Sequence, residues 1–392
     1  RGELTREELR ENLWHSILGH AARRGHGLGS LAFDPSGDLI RMLDELTARE
    51  AEIRQRVADR VSAYLPPDAS PIRAVVRLHL GGTWDGRTRD DIYMNLTFLH
   101  AYASPWFTGI EGILAHELTH IVHRQFDGPP EDAGTPEGLF AVALAQIHSE
   151  GIARHVESGL LAGPYRQGSY AAFVEAKHRD DLAGFTTALR HTEDLRKTCL
   201  DLKDALTCRK LIQSGLWRGG ETYVVGQGIA RAIEAALGRA TLASTFASGG
   251  VGFFKLYVQA THMLPDLPRL SDAFEAALPA ADAYLAAKRD AWRLRRDAQS
   301  AFARGDYEAA ESACRKVTEL DPADPVAAYN LACALSRRGN ESGALEWIER
   351  SMKLGYTDRE HMAADPDLEP LRHGKSYGRF LELIGREKPA PR

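Results

Sequence analysis

The 392-residue chain reads as a predominantly helical α+β protein, with a small sheet near the front and an array of helical hairpins at the end. Three observations carry this. Two short stretches, Ile72–Leu80 and Ile92–Leu96, read as strands, the first by its alternation of apolar residues. Most of the remainder places apolar residues at three-and-four spacing, the period of a helix buried on one face. From Ala298 onward, a pattern of small and apolar residues returns 34 positions later.

Composition sets outer limits. With 44% hydrophobic and 26% charged residues, the chain has the balance of an ordinary globular protein. A net charge of −5 gives no electrostatic reason to expect nucleic acid or an anionic membrane surface as partner. No uncharged apolar run approaches the ~18 residues of a membrane span. The first residue is Arg1 rather than Met, which is expected of a processed or truncated chain. If a signal peptide was removed, the location is periplasmic or secreted. None of Cys199, Cys208, Cys314 and Cys333 has C-x-x-C spacing, which argues against a thiolate metal site. Cys199 and Cys208 can bond if a turn separates them; on one unbroken helix they would point to opposite faces.

In chain order, residues 1–65 form an N-terminal helical segment expected to pack on the core. Ile53, Val57 and Val61 are its clearest apolar stripe. Pro66, Pro67 and Pro71 break it. The strand 72–80 stops at Gly81-Gly82, Trp84-Asp-Gly-Arg reads as a turn, and the strand 92–96 comes after it. That second strand either aligns an extended peptide along its edge or only completes the sheet.

The stretch from Thr108 to Gly128 holds the most informative pattern. Thr108 and Glu111 form a T-x-x-E capping box. Ile110, Ile113, Leu114, Leu118, Ile121 and Val122 make an apolar stripe, so a helix is expected over about 109–126. On it, His116-Glu117-Leu-Thr-His120 is H-E-x-x-H. Histidines four apart stand one turn apart on one face and can reach one metal ion, with the intervening Glu117 placed to take a proton from an attacking water. His123 lies about 10 Å along the axis from His116, too far to bind the same ion; it belongs beside the site or to the packing.

A three-ligand catalytic metal site needs one more group. The third histidine of the metzincin pattern would fall at Phe126, so that class is excluded. Thr135-Pro136-Glu137 starts another helix, running to about Gly159. Within it, Glu150 shares a side with Ala143 and Ile147, where a carboxylate is costly unless paired or metal-bound. Gly151 weakens that helix by about 1 kcal/mol relative to Ala, which suggests close approach of another backbone. Glu157 is a rival third ligand.

His116-Glu-Leu-Thr-His120 followed by Glu150-Gly-Ile-Ala153 resembles the gluzincin branch of zinc metallopeptidases, nearest to the collagenase-like and uncharacterised members with E-G-x-A about thirty residues after H-E-x-x-H. The resemblance covers roughly residues 70–260. It implies a zincin-like catalytic core over 66–290, Zn2+ held by His116, His120 and Glu150, Glu117 as general base, and a peptide or protein substrate. Tyr223-Val-Val-Gly226 matches the Y-x-x-G of the E-G-x-A peptidases; Tyr223 either donates to the oxyanion or is a core tyrosine, and Arg218 is a weaker candidate for the same role. One position departs. Thermolysin-type members carry an Asp four residues after the third ligand to orient a zinc histidine, and here that position is Arg154, so the orienting partner has to come from elsewhere.

Residues 291–392 carry the repeat. Ala298 to Ala310 aligns with Ala332 to Ala344, resembling a pair of tetratricopeptide repeats, with a degenerate third unit from Arg359 to about Ile384. Cys314 and Cys333 then fall in the helix seams as small hydrophobes. Two repeats are fewer than the ~3 a free array needs, so this unit is expected to dock on the catalytic domain and to bind substrate or a protein partner. The alternative to a zinc peptidase is a catalytically weak or inactive relative serving as a peptide-binding adaptor.

Overall fold

The computed structural model describes residues 35–79, 86–88, 91–95, 110–127, 133–160, 176, 183–214 and 220–385. Thr108 and Arg218 lie outside them, and with them the capping box and the Arg218 candidate. By its contacts the chain divides into two units between Asp282 and Ala283.

The first unit opens with α1 (Pro35–Ser62). Its Ile53, Val57 and Val61 are all buried, as their four-residue spacing predicts. Three strands follow: β1 (Val76–His79), β2 (Gly86–Thr88) and β3 (Ile92–Asn95). They form one sheet in the order β1-β3-β2, with β3 parallel to β1 and antiparallel to β2. This corrects the sequence reading twice. The stretch read as a turn at Trp84–Arg87 includes a strand, and β3 is central. Its backbone is spent on two neighbours, so it has no free edge on which to align a peptide. The sheet-completing role is the one the topology supports.

The motif helix α2 (Ile110–Phe126) and the long helix α3 (Pro136–Ser158) come next. Thr135 caps α3: its hydroxyl accepts from the Gly138 N–H at 3.1 Å, and Pro136 occupies the first turn. Then come α4 (Phe185–Arg196), a π-helical turn at Lys197–Asp201, α5 (Ala205–Ser214), α6 (Glu221–Leu237) and α7 (Arg239–Met263). The π-turn ends at Leu202–Asp204, and this break lets Cys199 and Cys208 meet in a disulfide with Cα atoms 5.3 Å apart.

α3 is the axis of this unit, packing against α2, α6 and α7. Leu144, Ile152, Ala153 and Val156 on it are fully buried. Two close crossings set its neighbours' distance. A Cβ on Gly151 would lie 2.3 Å from the Gly226 backbone of α6, and one on Gly250 of α7 would lie 2.7 Å from the Leu144 carbonyl. Glycine is required at both because nothing larger fits between the chains. α7 bends at Gly249, whose φ is +69°.

The second unit takes up the later part of α8 (Asp272–Arg304) and continues through α9 (Tyr307–Leu320), α10 (Pro325–Arg337) and α11 (Glu341–Lys353). The 34-residue period is visible as local chemistry. Gly305 and Gly339 both turn the chain at positive φ. Asp306 and Asn340 then cap the next helices through the Ala309 and Gly343 N–H groups. Asp324 and Asp358 cap α10 and α12 (Arg359–Ala364) in the same way. The third unit departs because Asp365-Pro366 stops α12 after one turn and a half. A 3-10 turn (Pro366–Leu368), α13 (Glu369–His373) and α14 (Tyr377–Leu383) replace a full second hairpin. Cys314 and Cys333 are buried in these seams at 2% and 3% exposure, the place the repeat alignment assigns them.

Candidate metal centre

His116 and His120 stand one turn apart on α2, and their Nε2 atoms lie 3.1 Å from each other. From α3, Glu150 brings its Oε2 to 3.4 Å from each of those nitrogens. Among the described residues this is the one group of three side chains able to hold a metal ion. Four ligands at the zinc distances of about 2.0–2.1 Å in a tetrahedron stand about 3.3 Å apart, close to the spacing seen.

The donor set fits a zinc ion on a further observation. Glu150 Oε2 is buried and has no hydrogen-bond donor, although two ring nitrogens face it. A buried carboxylate oxygen in that condition is costly unless a cation satisfies it. Burial works to raise the Glu150 pKa, but the His120 and His116 imidazoles outweigh it and hold the carboxyl well below the usual range. On His116, burial acts to lower the pKa, and the carboxylates of Glu150 and Glu157 overcome it and raise it well above the ordinary value. The site is electrostatically primed for a positive charge among these three groups.

The outer nitrogens of both imidazoles are held. His116 Nδ1 lies 3.1 Å from Glu157 Oε2, and His120 Nδ1 lies 3.0 Å from Ser149 Oγ. Glu157 and Glu150 are seven residues apart, two turns of one helix face, so one imidazole spans the two carboxylates. Arg154 stands 3.4 Å from Glu157. Three residues beyond position 154, the Glu157 carboxylate meets the His116 nitrogen pointing away from the trio. The rival in which Glu157 is the third ligand is not what the geometry favours. Ser149 escaped the sequence reading because a serine beside a candidate ligand carries no pattern. Glu157 had one: a second carboxylate on the Glu150 stripe.

Glu117 is buried, and its Oε2 accepts a hydrogen bond from the Thr88 hydroxyl of β2. The same hydroxyl lies 3.1 Å from the Glu117 carbonyl, and Arg124 donates to the Thr88 carbonyl at 2.7 Å. β2, the strand missed from sequence, is therefore what fixes the H-E-x-x-H glutamate. Tyr223, near the start of α6, is half-buried with its ring 6.2 Å from that of His116, and the Arg154 guanidinium is 5.7 Å from the Tyr223 ring.

The His123 ring lies 6.3 Å from that of His120. Its Nδ1 donates to the Thr119 carbonyl at 3.1 Å, and its ring lies 4.4 Å from Phe246 and 4.8 Å from His148. Burial pushes its pKa well below the ordinary value, so it is neutral. It is thus packed among aromatic rings while standing next to His120 along the helix. His148, in turn, pairs with the Thr245 hydroxyl at 3.0 Å.

A helical core that brings two imidazole nitrogens and a carboxylate oxygen to one point, beside a buried glutamate, defines a site of the type that can hold a metal ion. The chain belongs to the family described as "Putative zinc dependent peptidase (DUF5700)", whose model matches residues 37–266. A tetratricopeptide repeat model matches residues 301–364. The chain is also similar to a chloroplastic protein of Arabidopsis thaliana, at 39% identity over 57 residues. That match covers 14% of this chain and 17% of the relative, so the chain spans under a fifth of that protein's length. No solved structure matches the chain.

Proposed function

We propose that the protein is a zinc-dependent peptidase of the gluzincin type, with His116, His120 and Glu150 as the metal ligands. The observation that carries this reading is the convergence of Glu150 Oε2 on both Nε2 atoms at 3.4 Å, without a hydrogen-bond donor of its own. A zinc ion held there would lower the pKa of a water toward 7 and polarise a substrate carbonyl. Glu117 accepts the proton of the attacking water and returns it to the leaving amine. The Thr88 hydroxyl fixes which face of that carboxylate is offered. Glu157 and Ser149 hold the two imidazoles so that their Nε2 atoms face inward. The Tyr223 hydroxyl is the candidate donor to the developing oxyanion, from a ring stationed beside His116.

The repeat unit recruits the peptide or protein on which the centre acts, or a partner that delivers it. The buried Cys199–Cys208 disulfide supports an oxidising, extracytoplasmic compartment. The test is cleavage of a peptide library by the purified protein, with and without a zinc chelator, beside Glu117→Gln. The expected result is about one zinc per chain in both proteins and chelator-sensitive cleavage reduced at least 100-fold in the variant. Binding without cleavage in the zinc-loaded protein would leave the adaptor reading standing instead.

A further inference from the structure

Arg154 is the residue at which the chain departs from the thermolysin-type pattern, and the metal trio does not use it. It stands on α3, about one turn after Glu150 and a little under one turn before Glu157. Its side chain and that of Glu157 are both largely withdrawn from water, at 13% and 7% exposure. A solvent-exposed pair at this spacing would contribute little. A buried guanidinium and a buried carboxylate depend on each other, because removing one leaves the other uncompensated.

The pair gains its meaning from its neighbours. The Arg154 guanidinium lies 3.4 Å from Glu157 Oε2, and that same oxygen meets His116 Nδ1 at 3.1 Å. One carboxylate oxygen thus answers a cation on its own helix and an imidazole on α2. The guanidinium also lies 5.7 Å from the centre of the Tyr223 ring, within the range of a cation–π contact. The Tyr223 ring is in turn 6.2 Å from the His116 ring. The contacts run from His116 to Glu157, Arg154, Tyr223 and back to His116, a closed circuit drawn from α2, α3 and α6. Arginine suits this place, since its planar head offers N–H groups at its edge and a face to an aromatic ring. Lysine would restore the charge without the plane.

We infer that Arg154 is a positioning residue of the metal centre: its guanidinium fixes the Glu157 carboxylate against His116 Nδ1 and the Tyr223 ring beside the same imidazole. The inference rests on the ligand set proposed above and adds a residue that acts through two neighbours of His116. Without the cation, the Glu157 carboxylate loses its charge compensation and turns toward water, and His116 Nδ1 loses its acceptor.

The experiment uses the full chain with two variants. Arg154→Met keeps the length and removes the charge; Arg154→Lys keeps the charge and removes the plane. Zinc affinity is read by competition with a chromophoric chelator. Arg154→Met should weaken it by about 3–10-fold, less than the roughly 10–100-fold of a group that touches the ligand itself. Arg154→Lys should stay within about 2-fold of wild type. In a Glu157→Gln background, where no carboxylate charge is left to hold, Arg154→Met should add nothing further. A residue that merely supports the fold would lower the melting temperature and show the same zinc loss in both backgrounds. Additive losses, an equal loss in the lysine variant, or tighter zinc binding in Arg154→Met each overturn the inference. The second arm is run without metal. The His116 ring resonances and the fluorotyrosine resonance of Tyr223, assigned by its disappearance in Tyr223→Phe, should both move in Arg154→Met. Only the Tyr223 resonance should move in Arg154→Lys. A stationary signal at either residue in Arg154→Met overturns the positioning role there. Failure of the wild-type protein to take up zinc overturns the ligand set, and the metal-free arm then still decides Arg154.

Discussion

Gly151 and Gly226 cross so closely that a Cβ on Gly151 would lie 2.3 Å from the Gly226 Cα. The glycine of E-G-x-A and the glycine of Y-x-x-G are thus two sides of one contact. Each follows a candidate site residue, Glu150 directly and Tyr223 by three positions. Gly151→Ala should force α3 and α6 apart, at a cost of about 1–3 kcal/mol for overpacking. Chemical denaturation measures this, and zinc affinity should fall with it as Glu150 is displaced. Because the two residues share one contact, the cost of Gly151→Ala with Gly226→Ala together should be less than the sum of the singles.

The His116–Glu157 contact makes a separate prediction. Glu157→Ala should weaken zinc binding by about 10–100-fold, the usual effect of removing a group that orients a ligand. Glu157→Gln should lose less, since its amide oxygen still accepts from Nδ1–H. Glu150→Ala should abolish tight binding. Competition titration with a chromophoric chelator, and the visible spectrum of the cobalt-substituted protein, report on this without any activity assay. Full zinc occupancy in Glu150→Ala with none in Glu157→Ala would reverse the two assignments.

Glu234 should shape the acid limb of the stability curve. The His155 imidazole at 2.5 Å is the main influence on it, opposed by burial and then helped by Arg239 at 2.8 Å. Together they push the Glu234 carboxyl down to about 2. A depressed folded pKa stabilises the native state above the unfolded value, near 4.3, and this contribution is lost as pH falls through about 2. Wild type should therefore melt above Glu234→Gln at pH 6, and the two curves should converge as pH approaches 2. A constant gap over that range would remove the carboxylate charge as the cause.

Replacing Cys199 and Cys208 together by serine should cost about 2–4 kcal/mol, from a freer unfolded chain and from two hydroxyls placed where both sulfurs are fully buried. Denaturant unfolding of wild type with and without reductant gives the first part alone. If the reduced wild type matches the oxidised protein, the crosslink contributes nothing measurable.

The parts legible from sequence are those whose geometry is local. Four residues on a helix put His116 and His120 on one face wherever that helix sits. The stripe of α1, the Thr135 cap of α3, and the 34-residue period with its Gly and Asp or Asn stops come from the same short-range rules. Glu150 needed more than spacing: a buried carboxylate before a glycine is a hint, and only resemblance to the zinc peptidases tied it to the histidines. The family match to residues 37–266 accords with that resemblance.

Tertiary structure decided what depends on partners far along the chain. Sheet order moved β3 from the edge to the centre, because strand alternation says nothing about which neighbour pairs with which side. It also supplied β2, three residues long and too short for periodicity to show, whose Thr88 grips Glu117. Whether Glu157 binds a metal or steers a ligand hung on which nitrogen of His116 it meets, a ring orientation set by the crossing of α2 and α3. The residues alone determined a helix able to offer two imidazoles. The crossing of α2 and α3, packed at α6 to backbone distance, decided where the Glu150 carboxylate stands, since convergence is a property of two elements and no single stretch of chain encodes it.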